Sequence, residues 1–213
     1  MRTKADVRAI YERIADSFAP TRVDAWSEVL EFVDDLPRAS RVLDIGCGNG
    51  RHVKALIVRG HRAVGLDFCR RLLAIGRAEI ASADASWIEA EAGRLPFRDE
   101  TLDAATCIAV LHHLPTQADR IAALREIGRV LRRDGRVIVS VWDRGQSRFL
   151  GLVLDDHGDA EIPWALPDGS TIGRYYHLFR SGELERTIIE SGLHGERFFH
   201  SSGNWFALAT KHG

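Results

Sequence analysis

Residues 42–50 read Val-Leu-Asp-Ile-Gly-Cys-Gly-Asn-Gly, an apolar run that ends in a carboxylate and then in glycines at alternate positions. A buried strand ending near Asp44 would turn sharply through Gly46, Gly48 and Gly50 into a helix. Glycines reach backbone angles that are costly for other residues, and they let a ligand approach the main chain closely. Asp44 discriminates between ligands. A pyrophosphate cofactor disfavours an anion beside its loop, and the dinucleotide fingerprint wants a glycine where this chain has Arg51. S-adenosylmethionine carries an ammonium and a sulfonium, which suit a carboxylate. The loop therefore points to a methyl donor.

A second acid, Asp67, ends the run Ala63-Val64-Gly65-Leu66 about twenty residues further on, where a carboxylate can accept hydrogen bonds from both ribose hydroxyls. Acids after strands also cap helices; two in this order and spacing favour the cofactor reading. The third run, Trp87 to Ala92, brings Glu91 and the following amides towards an adenine edge, with Leu95 and Phe97 as apolar cover; a solvated acid before a turn is the alternative for Glu91. The expected cofactor set is Asp44, Gly46, Cys47, Gly48, Asn49, Gly50, Asp67, Phe68, Glu91, Ala92 and Ala109. The fourth run leads into His112-His113-Leu114-Pro115, at the end that faces the reactive part of the cofactor. One of these histidines is expected to shape the acceptor site, orient a substrate group or exchange a proton.

The elements that must position these groups alternate from residue 41 onward. Strands are expected at 41–46, 62–67, 86–91, 103–110 and 135–142, with helices near 50–58, 69–81 and 118–132. That alternation predicts an α/β, Rossmann-like fold with a mostly parallel sheet and helices on both faces. Helical spacing at 4–18 and 24–35, interrupted at Pro20, predicts an N-terminal cap over 1–38. Residues 144–179 hold Pro163, Pro167 and several glycines, show weak periodicity, and read as a substrate-side insert. A helix at 181–191 and strands at 194–200 and 204–210 close the chain, the last two as a hairpin. The whole of 1–213 is expected to be one domain.

The chain has 213 residues, 45% hydrophobic and 28% charged, with a formal net charge of −1. That removes a broad electrostatic case for nucleic-acid binding and leaves a local basic patch possible. The cations are nearly all arginine, which suits phosphate and carboxylate recognition or reflects a GC-rich genome. No apolar run reaches the length of a membrane span, and the N-terminus lacks a signal-peptide pattern. Cys47, Cys69 and Cys107 read as reduced thiols without metal-ligand spacing, so a cytoplasmic protein with no metal and no membrane is expected.

The glycine loop and Leu95-Pro96-Phe97 are shared by many class I methyltransferases. Residues 108–146, from Ile108-Ala109-Val110-Leu111-His112-His113 to Trp142-Asp143-Arg144-Gly145-Gln146, resemble more specifically the enzymes that esterify 5-carboxymethyluridine at the wobble position of tRNA, including the methyltransferase domain fused to an AlkB-like oxygenase in animals. Tyr11 to Ala15 with Phe18, Thr21-Arg22 and Trp26 resemble that family's N-terminal segment; Arg174 to Phe179 with Gly182-Glu183-Leu184 resemble its late motif. Asn204-Trp205 stand where it ends in Asp-Asn-Trp-aromatic, its Asp being Gly203 here.

The resemblance implies a seven-stranded sheet, S-adenosylmethionine as cofactor, a tRNA acceptor, and a small zinc-binding activator subunit added at the third-strand edge, where Trp87 and Ile88 lie. Arg22, His112 and His113 become the catalytic candidates. Arg22, His112, Tyr175, Tyr176, His177, Asn204 and Trp205 become the substrate candidates, with one of the two tyrosines in the core. A carboxylate acceptor is already ionised near neutral pH, so no general base is needed. Two other readings stay open: a small-molecule O- or N-methyltransferase with 144–179 as a lid, and a non-catalytic S-adenosylmethionine-binding protein.

Overall fold

In a computed structural model that describes residues 2–211, the alternating pattern forms a seven-stranded sheet. Its first five strands are β1 (Arg41–Ile45), β2 (Arg62–Asp67), β3 (Ala85–Glu89), β4 (Leu102–Ile108) and β5 (Leu131–Trp142), all parallel. The closing hairpin, β8 (His194–Ser201) and β9 (Asn204–Thr210), runs antiparallel, with β9 against β5, so the order across the sheet is β3-β2-β1-β4-β5-β9-β8. Strand order reverses between β1 and β4, so a crevice opens beyond their carboxyl ends, where doubly wound sheets bind ligands. Residues 1, 212 and 213 of the expected single domain lie outside the described residues.

Continuous apolar burial explains the central strands: Val42, Leu43 and Ile45 of β1, and Val137, Ile138 and Val139 of β5, are fully covered, as a parallel sheet with helices on both faces requires. Helices α3 (Arg51–Val58), α4 (Arg70–Glu79) and α5 (Gln117–Val130) are the crossovers, and α6 (Glu183–Ser191) packs on α5. The N-terminal cap is α1 (Lys4–Phe18) and α2 (Ser27–Asp34). Thr3 and Asp6 form a reciprocal capping box that starts α1. No helix among the described residues is long and apolar enough to cross a membrane.

Three expectations need correction. The insert contains a regular antiparallel pair, β6 (Asp159–Ala165) and β7 (Thr171–His177), which periodicity missed because Pro163 interrupts the alternation. Its turn was readable: Asp168 Oδ1 accepts the Ser170 N–H at 2.9 Å and Gly169 takes a φ of +82°. Strand β5 starts at Leu131 rather than 135, directly after α5, and shifts register near the Asp134-Gly135 corner. Finally, β3 does form a sheet edge, but the Trp87 and Ile88 side chains pack onto the two faces of the sheet, as strand alternation demands. The edge offers main-chain groups, and Arg77 donates to the Trp87 carbonyl at 3.4 Å.

Candidate active site

Two adjoining cavities occupy the crevice. The first is lined by Gly46, Cys47, Gly48, Asn49, Asp67, Phe68, Glu91, Ala92 and Ala109 from the expected cofactor set. Gly46 and Gly48 take φ of +65° and +57°. A Cβ on Gly46 would strike Val110, whereas one on Gly48 would meet nothing within 4 Å, leaving that stretch of main chain open to a ligand. Asp67 Oδ2 accepts the Gly48 N–H and Oδ1 the Cys69 N–H, both at 2.8 Å. Each oxygen keeps a lone pair for an incoming hydroxyl. Burial raises the Asp67 carboxyl to about 6.

Asp44 and Gly50 do not line the cavity. Asp44 lies beneath the loop, 1% exposed, where Oδ1 accepts the Thr106 hydroxyl at 2.6 Å and Oδ2 has no partner. Burial pushes its carboxyl up to about 7. A buried carboxylate short of partners is relieved by a nearby cation, so the donor set fits an ammonium- and sulfonium-bearing cofactor. Affinity for that cofactor is expected to fall as pH drops from 8 towards 5.5, because protonating Asp44 and then Asp67 removes the negative charge the cation needs. Calorimetry across that range checks it; S-adenosylhomocysteine, without the sulfonium, should depend on pH less, and Asp44→Asn should flatten the limb near pH 7.

Glu91 lies two residues beyond β3, paired with Lys4 of α1 at 2.9 Å. Leu95 is buried in the core and Phe97 packs against it, so neither covers the cavity.

The second cavity encloses about 710 Å³ beside the first, a volume suited to a small-molecule-sized group. Tyr11, Phe18, Arg22, Arg51, Ala109 and His113 border both. Ala109 holds a φ of +60°, fixed by its N–H on Ser140; a non-glycine residue there stores strain of roughly 1 kcal/mol. His112, Tyr176, Asn204, Trp142 and Arg148 line the second cavity. Tyr176 stacks on Trp142 with ring centroids 4.4 Å apart, and the Arg148 guanidinium lies 4.0 Å over Trp142.

Arg22 sits over the Phe18 ring at 4.3 Å and Arg51 over Trp26 at 5.1 Å. None of Arg22, Arg51 and Arg148 forms an ion pair among the described residues, and Glu28 is the single carboxylate lining this cavity. The cavity therefore carries net positive charge and suits an anionic acceptor.

His112 is fully buried. Its Nδ1 accepts the Trp142 N–H at 3.2 Å, so Nε2 carries the proton, and that N–H has no partner. Burial holds the imidazole well below its ordinary pKa. His112 is thus a neutral donor rather than a base.

Three substrate candidates fall elsewhere. Tyr175 is in the core, donating to the Pro115 carbonyl at 3.1 Å. His177 is buried between Asp159 at 2.7 Å and Glu183 at 2.6 Å, lining neither cavity. Trp205 packs on the core and neither cavity includes it. Strand alternation accounts for all three, sending Tyr175 and His177 to the face opposite Tyr176, and Trp205 opposite Asn204. Sequence reading missed Trp142, Arg148 and Arg51. The signal for Trp142 was its place at the carboxyl end of a central parallel strand.

Residues 43–139 match the family described as Methyltransferase domain. The chain is 32% identical over 191 residues to an Encephalitozoon cuniculi protein named as a methyltransferase, covering 88% of this chain and 86% of that one. It is 29% identical over 225 residues to a Schizosaccharomyces pombe protein named tRNA (carboxymethyluridine(34)-5-O)-methyltransferase, covering 96% of each. A Xenopus tropicalis relative of that name, alkbh8, is 28% identical over 96% of this chain, which spans only 40% of the frog protein. Among solved structures, the complex of the Haloferax volcanii Trm112 methyltransferase activator with its methyltransferase gives a TM-score of 0.71 at 17% identity, covering 97% of this chain and 98% of that one. At that identity the likeness carries the fold alone.

Proposed function

The chain belongs to the S-adenosylmethionine-dependent methyltransferases, and from that premise we propose that it methylates the carboxylate of 5-carboxymethyluridine at the tRNA wobble position. The observation that carries this reading is the second cavity, where Arg22, Arg51 and Arg148 lack ion pairs around a Trp142–Tyr176 stack. An extruded base stacks on aromatic and guanidinium planes, and its carboxylate and flanking phosphates answer the positive charge. The names of the fission yeast and frog relatives support the same acceptor.

Bound in the first cavity, S-adenosylmethionine supplies an electrophilic methyl group. The Gly46–Gly50 loop, Asp67 and Glu91 fix its position, and the N-terminal cap closes over it through Tyr11 and Phe18. The His112 Nε2–H and the arginines orient the acceptor carboxylate. Arg22 serves best on the oxygen that does not attack, or on a phosphate, because a cation on the attacking oxygen would lower its nucleophilicity. The rate gain then comes mainly from alignment in a site shielded from water.

Arg148→Ala is expected to raise KM for tRNA about tenfold, the loss of roughly one charge-assisted contact of 1.4 kcal/mol, with kcat within twofold. Equal falls in kcat and kcat/KM would contradict that role. Labelled methyl should appear in the wobble nucleoside and be released by mild alkali, as an ester requires; alkali-stable label would favour N-methylation.

The terminal position of β3 in the sheet supports a heterodimer formed by strand addition, in keeping with the activator-bound protein of the same fold, and the reading extends to cytoplasmic tRNA and a zinc-binding partner. Full activity of the isolated monomer on tRNA would overturn the partner requirement.

A further inference from the structure

At the seam where the two cavities meet, a continuous hydrogen-bonded chain joins three elements. Arg174 of β7 contacts the Tyr176 hydroxyl at 2.8 Å, Tyr176 contacts the Tyr11 hydroxyl at 3.3 Å, and Tyr11 of α1 contacts His113 Nε2 at 3.1 Å. His113 Nδ1 faces the Tyr175 carbonyl at 3.3 Å. Proton accounting along the chain is restrictive. A carbonyl only accepts, so His113 Nδ1 carries a hydrogen. In a neutral ring Nε2 is then a lone pair, and the Tyr11 hydroxyl must donate to it. With its hydrogen spent, Tyr11 accepts from Tyr176, which accepts from Arg174. Every donor has one acceptor, and the direction runs from the buried guanidinium to the imidazole.

The competing arrangement reverses the Tyr11 hydrogen and makes His113 an imidazolium. The groups around the ring oppose it. From β7 comes Arg174, 5% exposed and without an ion pair among the described residues; from the segment after α1 comes Arg22, likewise without one among them; Tyr11 and Tyr176 are uncharged and His112 on the same turn is neutral. Burial and these two cations hold His113 down to about 3.

We propose that Tyr11 is a positioning residue which occupies the His113 lone pair and, together with the burial of the ring, holds that imidazole neutral and oriented at the seam, so that His112 alone offers a free histidine hydrogen to the acceptor. Arg174 and Tyr176 set the direction of its hydroxyl. The inference rests on the second cavity receiving the acceptor. An imidazolium at this point would repel the cationic methyl donor on one side and grip the attacking oxygen on the other. A lone pair left open would admit a proton or a water molecule.

The test is nitrogen NMR on histidine-labelled protein, with the His113 signals assigned by their loss in His113→Asn. The wild type is expected to show His113 as the Nδ1–H tautomer with no titration between pH 5 and 8. In Tyr11→Phe the freed Nε2 should titrate about one pH unit higher than in the wild type, the equivalent of one lost hydrogen bond. An Nε2–H tautomer in the wild type, or identical His113 titration in wild type and variant, would overturn the proposal. Methyl transfer adds a second readout: Tyr11→Phe should lower kcat about tenfold and leave KM for tRNA within twofold. A kcat within twofold would also overturn it. Tyr176→Phe, which removes the donor to Tyr11 but leaves the Tyr11 hydroxyl, should give an intermediate shift in the His113 titration. Because the NMR arm needs no acceptor, it decides the role of Tyr11 even if tRNA proves not to be the substrate.

Discussion

Asp67→Ala is expected to raise the Kd for S-adenosylmethionine about 100-fold, the equivalent of roughly 2.7 kcal/mol. The magnitude follows from what the carboxylate does. Both oxygens accept backbone N–H groups, from Gly48 and Cys69, and so are aimed before any ligand arrives. Two hydroxyls accepted by an ionised group contribute about 1.5–3 kcal/mol each, part of which offsets the burial that raises this carboxyl. Alanine removes the acceptors and leaves the Gly48 amide, at the open turn of the loop, without its partner. Asp67→Asn, which keeps one acceptor oxygen, should fall between. A change of less than threefold by calorimetry would show that the ribose binds elsewhere.

Trp87→Ala should cost about 3 kcal/mol of unfolding free energy, towards the lower end for an aromatic residue cut to alanine because Trp87 is only partly buried. Its indole fills a slot made by three glycines: a Cβ on Gly50, Gly65 or Gly76 would strike the ring. The slot joins the edge strand, the second strand, α4 and the corner that starts α3, so truncation leaves a void behind the cofactor loop. Denaturant unfolding measures the loss, and Ile88→Ala, on the opposite face, is the control for truncating an edge residue. A loss below 1 kcal/mol would mean that the glycines hold the corner without the indole.

Asp67 and Trp87 were both partly legible in the sequence. Asp44, the glycines and Asp67 could be read because each ends a parallel strand, and the carboxyl ends of such strands share one rim. Depth was not legible: Asp44 lies under the loop, since a residue inside a fully covered strand points into a layer and not along its axis. Alternation along a strand is equally decisive for the acceptor side. The dense Tyr175-Tyr176-His177 cluster looks like one patch in sequence, yet period two puts only Tyr176 in the cavity, with Arg174 behind it. The β6–β7 pair escaped because Pro163 and the exposed Glu161 mask the pattern. Trp142 escaped because its stack is made with Tyr176, distant in sequence, which no local spacing records.

The acceptor is identified by mass spectrometry of wobble nucleosides in tRNA from cells lacking this chain. Loss of the 5-carboxymethyluridine methyl ester with accumulation of the free acid is expected, restored by the wild-type chain and not by Asp67→Ala. An unchanged ester level in the deleted cells would contradict that acceptor.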